Sequence, residues 1–166
     1  MKFIGCLFIF LSCSLAGFYK YLSLKKRCSN ILEIKHVTEN LKTQIGFLKN
    51  DLATAFHDAS YGYRVFSLYD KCGKNIANHG IDKAWEESLT QYADTLFFTK
   101  DDVLVIKKFS KGLGKSDTES ELKKLNLISQ MADELYNNAS KELSEQGRLY
   151  KTSGCAVGIL LVLLLI

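Results

Sequence analysis

The chain has 166 residues, with 22 basic and 18 acidic side chains, 47% hydrophobic residues, five cysteines and no proline. That length holds one modest domain, and the interspersed, nearly balanced charge excludes a nucleic-acid-binding polycation and describes a solvated surface. The cysteines, Cys6, Cys13, Cys28, Cys72 and Cys155, are odd in number and scattered. They exclude a disulfide framework and place the soluble part in a reducing compartment.

From the N-terminus, Phe3 to Tyr19 is apolar apart from Ser12 and Ser14, and is followed by Lys20, Lys25, Lys26 and Arg27. A run of this length is at the lower limit for a spanning helix. Cations after the run, rather than before it, suit an anchor whose following segment stays in the cytoplasm. The competing reading is a cleaved signal peptide, with Lys2 as its positive region and Ser14-Leu15-Ala16 as its processing site, giving an exported tail-anchored protein. Ile34, Val37, Leu41, Ile45, Leu48 and Leu52 keep helical spacing, so the first helix is predicted to run on out of the membrane.

Asn50-Asp51 reads as a break and a new cap, with a short amphipathic piece from Leu52 to Ala59. A further helix is predicted from Tyr61 to about Asn75, with Val65, Leu68, Tyr69 and Cys72 inward. The clusters Cys72-Gly73-Lys74-Asn75 and Asn78-His79-Gly80 read as loop. Asp82 is expected to cap a helix bearing Trp85, Leu89, Tyr92 and Leu96, with Trp85 as its interior anchor. Thr99 and Asp102 form a capping box for another helix, with Val103, Ile106 and Phe109 on one face and Gly112 beyond its end.

The last stretch opens with Ser116-Asp117-Thr118-Glu119, a helix start in which Ser116 is expected to cap. Leu122, Leu125, Ile128, Ala132, Leu135, Ala139 and Leu143 then line one face, and beyond Arg148 and Lys151 the run from Gly154 to Ile166 has no polar side chain. A helix apolar on one stripe faces a core, and one apolar all round faces lipid or a large interior. Counting cations at the membrane edges places residues 20–152 in the cytoplasm and both termini outside.

The predicted fold class is all-α, a cytoplasmic bundle of about five to six helices bracketed by two long helices that continue into N- and C-terminal transmembrane segments. The expected division is a transmembrane helix over 1–22, a cytoplasmic domain over 23–149 and a second transmembrane helix over 150–166. Gly154 and Gly158, and Cys13 with Gly17, each put two small residues on one helix face, where backbones approach closely. Gly17, Gly154 and Gly158 are therefore the candidate transmembrane packing residues.

Candidate chemistry is sparse. Gly112-Leu113-Gly114-Lys115-Ser116 follows the apolar Val103–Ile106 and resembles the end of a phosphate-binding loop, which makes a nucleotide-binding membrane enzyme the alternative function. Such a loop needs a glycine five positions before Gly114, and Phe109 stands there. A helix stop followed by a helix start accounts for the same residues. Cys72 with His57 and His79 offers a nucleophile and bases of unfixed geometry, without the spacing of metal ligands. No catalytic, cofactor-binding or metal residue is predicted.

The stretches Leu113-Gly114-Lys115-Ser116-Asp117 and Gly147-Arg148-Leu149-Tyr150-Lys151-Thr152-Ser153-Gly154, leading to Gly158–Ile166, resemble the stage III sporulation protein AB family, as do Ala84-Trp85-Glu86-Glu87 and Asp101-Asp102-Val103-Leu104. That family is similar to the F-type inner-membrane proteins of type II secretion and type IV pilus systems. The resemblance implies a non-catalytic sporulation protein without a cofactor. It implies a place in the channel complex between mother cell and forespore, and a helical domain that meets the stage III sporulation protein AA ATPase and other channel proteins. It also implies a multi-pass protein whose soluble domain lies in the mother-cell cytoplasm, with homo-oligomers possible within the complex.

Overall fold

The structure is a computed structural model and describes residues 2–165. Met1 and Ile166, the outer ends of the two expected spans, lie outside the described residues, as do the side chains of Lys2, Phe3, Ile4, Cys6, Cys155, Leu164 and Leu165. The elements are α1 (Lys2–Gly46), α2 (Leu52–Ser60), α3 (Phe66–His79), α4 (Ile81–Tyr92), α5 (Lys100–Ile106), a 3₁₀ turn (Lys107–Ser110) and α6 (Thr118–Leu165). The class is all-α, with no strand among the described residues. Four α-helices and one 3₁₀ turn stand between the two long helices, at the lower edge of the expected number.

The chain packs as two units. One comprises the outer ends of α1 and α6, up to Cys28 and from Asn138 onward; the other is Ser29–Asn137. In the second unit, the inner stretch of α1 buries Ile31, Ile34, Val37, Leu41 and Ile45, and α6 buries Leu125, Ile128, Ala132 and Leu135. These are the positions at helical spacing, because only that stripe can leave water together. Leu48 stays exposed because α1 stops at Gly46. Between the long helices, Phe56, Tyr69 and Trp85 meet with ring centroids 5.1 to 6.0 Å apart. Trp85 is buried, and its indole N–H donates to the Ile106 carbonyl at 2.8 Å.

Polar side chains pin the connections. The Glu33 carboxylate accepts from the backbone N–H and the guanidinium of Arg64, both at 2.7 Å, which ties the α2–α3 connection to α1. Asp51 caps α2, accepting from the N–H groups of Ala53 and Thr54, and Thr99 with Asp102 closes the expected capping box of α5.

Three local expectations are corrected. α3 runs unbroken through Cys72-Gly73-Lys74-Asn75 and on to His79. Gly73 is a packing residue, since a Cβ there would lie 3.0 Å from the Ala53 carbonyl of α2. Only Gly80, at φ +72°, breaks the chain; it caps α4 and leaves Asp82 in the first turn, where a carboxylate suits the helix dipole. At α6, the Asp117 carboxylate takes the Ser120 N–H, and the Ser116 hydroxyl accepts instead from the Lys124 ammonium.

These caps make the bundle acid-sensitive. Hydrogen bonds from Thr54, Ser120 and Lys42 respectively hold the carboxyls of Asp51, Asp117 and Glu39 below their ordinary values of 3.8, 3.8 and 4.5. A depressed folded value means that the unfolded chain takes up protons first, so the stabilisation is complete above the ordinary values and is lost as pH falls through the folded ones. The urea midpoint of the bundle is expected to decline below about pH 4, and Asp51→Asn to flatten that decline.

Candidate membrane-pairing site

The outer stretches of α1 and α6 run antiparallel, because Phe10 meets Gly158, Gly17 meets Gly154 and Tyr21 meets Gly147. A Cβ on Gly17 would lie 2.5 Å from the Tyr150 carbonyl oxygen and 3.0 Å from the Gly154 Cα. On Gly154 it would lie 3.0 Å from the Cys13 carbonyl oxygen, and on Gly158 3.0 Å from the Phe10 ring. The structure thus brings Gly17 and Gly154 together at one crossing, with Gly158 further along the same seam. Gly147 extends the seam, is buried, and would press a Cβ to 3.2 Å from the Tyr21 ring. Sequence reasoning missed it, although it lies seven residues before Gly154 and so on the same helix face.

Side chains on the far faces point away from the seam. Leu7, Phe8, Leu11 and Leu15 of α1, and Ile159, Leu160 and Leu163 of α6, are each 45% to 72% exposed. Apolar side chains in such contiguous numbers mark a surface that meets something other than water. Among the described residues, one helix, within Leu7–Gly46, is long and apolar enough to cross a membrane. At the inner end of this unit, Arg27 is buried and paired with Glu142 at 2.5 Å. It is therefore a register-setting contact rather than the surface cation counted from sequence.

The loop that resembled a phosphate site is filled from within. The backbone N–H groups of Gly114, Lys115 and Ser116 donate to the Glu121 carboxylate at 2.9, 3.3 and 3.1 Å. Gly112 and Gly114, at φ +80° and +71°, provide the curl. The Lys124 ammonium reaches the same carboxylate at 3.2 Å and also donates to the Gly112 carbonyl. Glu121 is 5% exposed and occupies the place a phosphate would need. Glu121→Gln leaves one acceptor oxygen in place of two and removes the charge. It is expected to cost about 1–2 kcal/mol, read as a lower thermal midpoint of the bundle.

Cys72, His57 and His79 do not form a catalytic cluster. Cys72 is fully buried in α3, and burial pushes its thiol up to about 12. His79 lies two turns further along the same helix, beside Glu87 at 3.1 Å, and His57 packs against the rings of Tyr61 and Phe66. A thiol so held is inert while folded. Cys72 is expected to react with a maleimide only at the rate at which the bundle opens; immediate labelling of the native protein contradicts its burial.

The sequence pattern of the family described as stage III sporulation protein AB matches residues 2–166. Stage III sporulation protein AB of Bacillus subtilis (strain 168) is 26% identical over 170 residues, covering 99% of this chain and 99% of that one. A solved structure of a stage III sporulation protein AB superposes with a TM-score of 0.62, covering 71% of this chain and 96% of that one at 23% identity, which is a likeness of fold. With a match over nearly its whole length and a helical architecture of the same kind, the chain belongs to the stage III sporulation protein AB family.

Proposed function

We propose that the protein is a non-catalytic, membrane-anchored scaffold of the channel complex between mother cell and forespore, and that its bundle positions the cognate ATPase, stage III sporulation protein AA, at the membrane. In this reading both outer stretches span the bilayer, over 1–22 and 150–166, and residues 23–149 lie in the mother-cell cytoplasm. The carrying observation is the helix pair itself, closed through Gly17 and Gly154 with apolar side chains turned outward. Without water to drive association, small residues that let backbones touch are what hold two helices together in lipid. The second span is short, about 25 Å for its seventeen residues, and is matched by local thinning of the bilayer. The ring of donors closed on Glu121 supports a scaffold over a nucleotide enzyme.

Sidedness tests the reading. Cys28 and Cys72 are buried, so the reporter is Asn78→Cys, at an exposed position, in a chain without native thiols. An impermeant maleimide is expected to leave it unmodified in intact cells and to label it once the membrane is opened. Ready labelling from outside overturns the topology. The ATPase should co-purify with the full-length chain from detergent; its repeated absence at high concentration removes the docking role.

A further inference from the structure

The net charge of the chain, +4, is unevenly divided in space. The unit formed by the outer ends of α1 and α6 holds eight basic side chains against two acidic ones, whereas Ser29–Asn137 holds fourteen against sixteen. Seven of those eight, Lys20, Lys25, Lys26, Arg27, Lys141, Arg148 and Lys151, lie at the inner end of the helix pair. Both acidic residues there have partners: Glu142 holds Arg27, and Glu145 lies 4.0 Å from Lys141.

The cations share a level with aromatic rings. The Lys20 ammonium stands 6.0 Å from the centroid of the Tyr150 ring, and the seam contacts set Gly17 against Tyr150 and Tyr21 against Gly147. Phe18 and Tyr19 are exposed at this level, as are Lys20, Arg148 and Lys151. Lys20 stands on the flank of Tyr150. A turn of about 100° per residue carries Lys151, with Arg148, round to the other flank. Positive charge therefore encircles the pair where the outward apolar side chains stop. A patch for a protein partner would occupy one side; a ring at the end of an apolar sleeve fits a headgroup layer.

We propose that this ring, Lys20, Arg148 and Lys151 with Tyr19 and Tyr150, selects anionic phospholipid, binding its headgroup phosphate at the inner edge of the helix pair. The inference rests on the two-span reading above. Aromatic rings at the interface fix the depth of the pair, and each cation near an anionic leaflet strengthens the attraction. The bundle, with sixteen acidic side chains against fourteen basic ones, does not share this preference.

Native mass spectrometry of the full-length chain in detergent, with phosphatidylglycerol and phosphatidylcholine added in equal amounts, tests it. The wild type is expected to retain phosphatidylglycerol at least fivefold over phosphatidylcholine. Each cation removed should weaken that preference, by up to about fivefold, and Lys20→Gln with Arg148→Gln and Lys151→Gln together should abolish it. Lys83→Gln with Lys108→Gln and Lys111→Gln, the same charge change on exposed positions of the bundle, is expected to leave it intact. Equal retention of the two lipids by the wild type, or equal loss in both triple variants, overturns the proposal. So does a ring variant that keeps its lipid preference but loses its protein partners, since the ring then serves an acidic protein surface. Alkaline carbonate extraction of the same chains separates this from the anchor reading: chains that stay in the pellet without lipid preference sink only the lipid site, while release of the wild type sinks the spans.

Discussion

Gly17→Leu is expected to separate the outer stretches of α1 and α6 while the bundle stays folded. The Cβ alone would stand 2.5 Å from the backbone oxygen of Tyr150, and a backbone in the middle of a helix has no rotamer by which to give way. Overpacking of this kind costs about 1–3 kcal/mol or more, enough to unpair two helices held by dispersion and close backbone contact. The same distances rank the seam: Gly154→Leu meets atoms at 3.0 and 3.1 Å and Gly158→Leu a movable Phe10 ring, so the effects should decline in that order. Gly5→Leu has nothing within 4 Å and serves as the neutral control. Spin labels on Leu7→Cys and Leu163→Cys read the pairing, with a narrow short distance in the parent chain and a broad longer one in Gly17→Leu. Emission from Trp85, the one tryptophan of the chain, should be unchanged, because it reports on the bundle. An unaltered distance in Gly17→Leu means that the seam does not hold the pair.

The helices that sequence reading placed well are those whose cause is local. The stripes Ile34–Ile45 and Leu125–Ala139 are legible because burial of one face imposes the spacing, and Asp51 and Thr99 cap because their partners lie two or three residues on. What escaped is non-local. Cys72-Gly73-Lys74-Asn75 has the composition of a turn, yet Gly73 is there because the backbone of α2 passes close to it, and Ala53 lies twenty residues away. The chain folds the N–H groups of Gly114, Lys115 and Ser116 around Glu121, a closure that no spacing motif announces. The charge pattern behaves in the same way. It is interspersed along the chain and segregated in space, because the first and last stretches, each poor in carboxylates, come together in one unit.

Trp85→Ala should have the largest effect on the bundle, about 3–5 kcal/mol, which is a large share of the 5–15 kcal/mol that holds a typical domain. Trp85 is 2% exposed, sits edge-on to Tyr69 and beside Phe56, and secures the end of α5 through the Ile106 carbonyl. Alanine removes the ring, leaves a cavity among side chains from four helices and frees that carbonyl. Trp85→Phe keeps part of the volume and loses the donor, so it should cost about half as much. Circular dichroism of the full-length chain during urea titration measures both, and the loss should be partial: the bundle's helical signal falls at lower urea, while the outer stretches of α1 and α6, which share none of this core, keep theirs. The consequence for function is a separation of parts. On the docking role proposed above, a Trp85→Ala chain should still reach the membrane fraction yet fail to retain the proposed ATPase partner, whereas a Gly17→Leu chain should keep the bundle folded and lose its place in the complex. If Trp85→Ala unfolds the bundle and the ATPase is still recovered with it, the docking surface does not depend on the folded head, and the contact must lie on the helix pair.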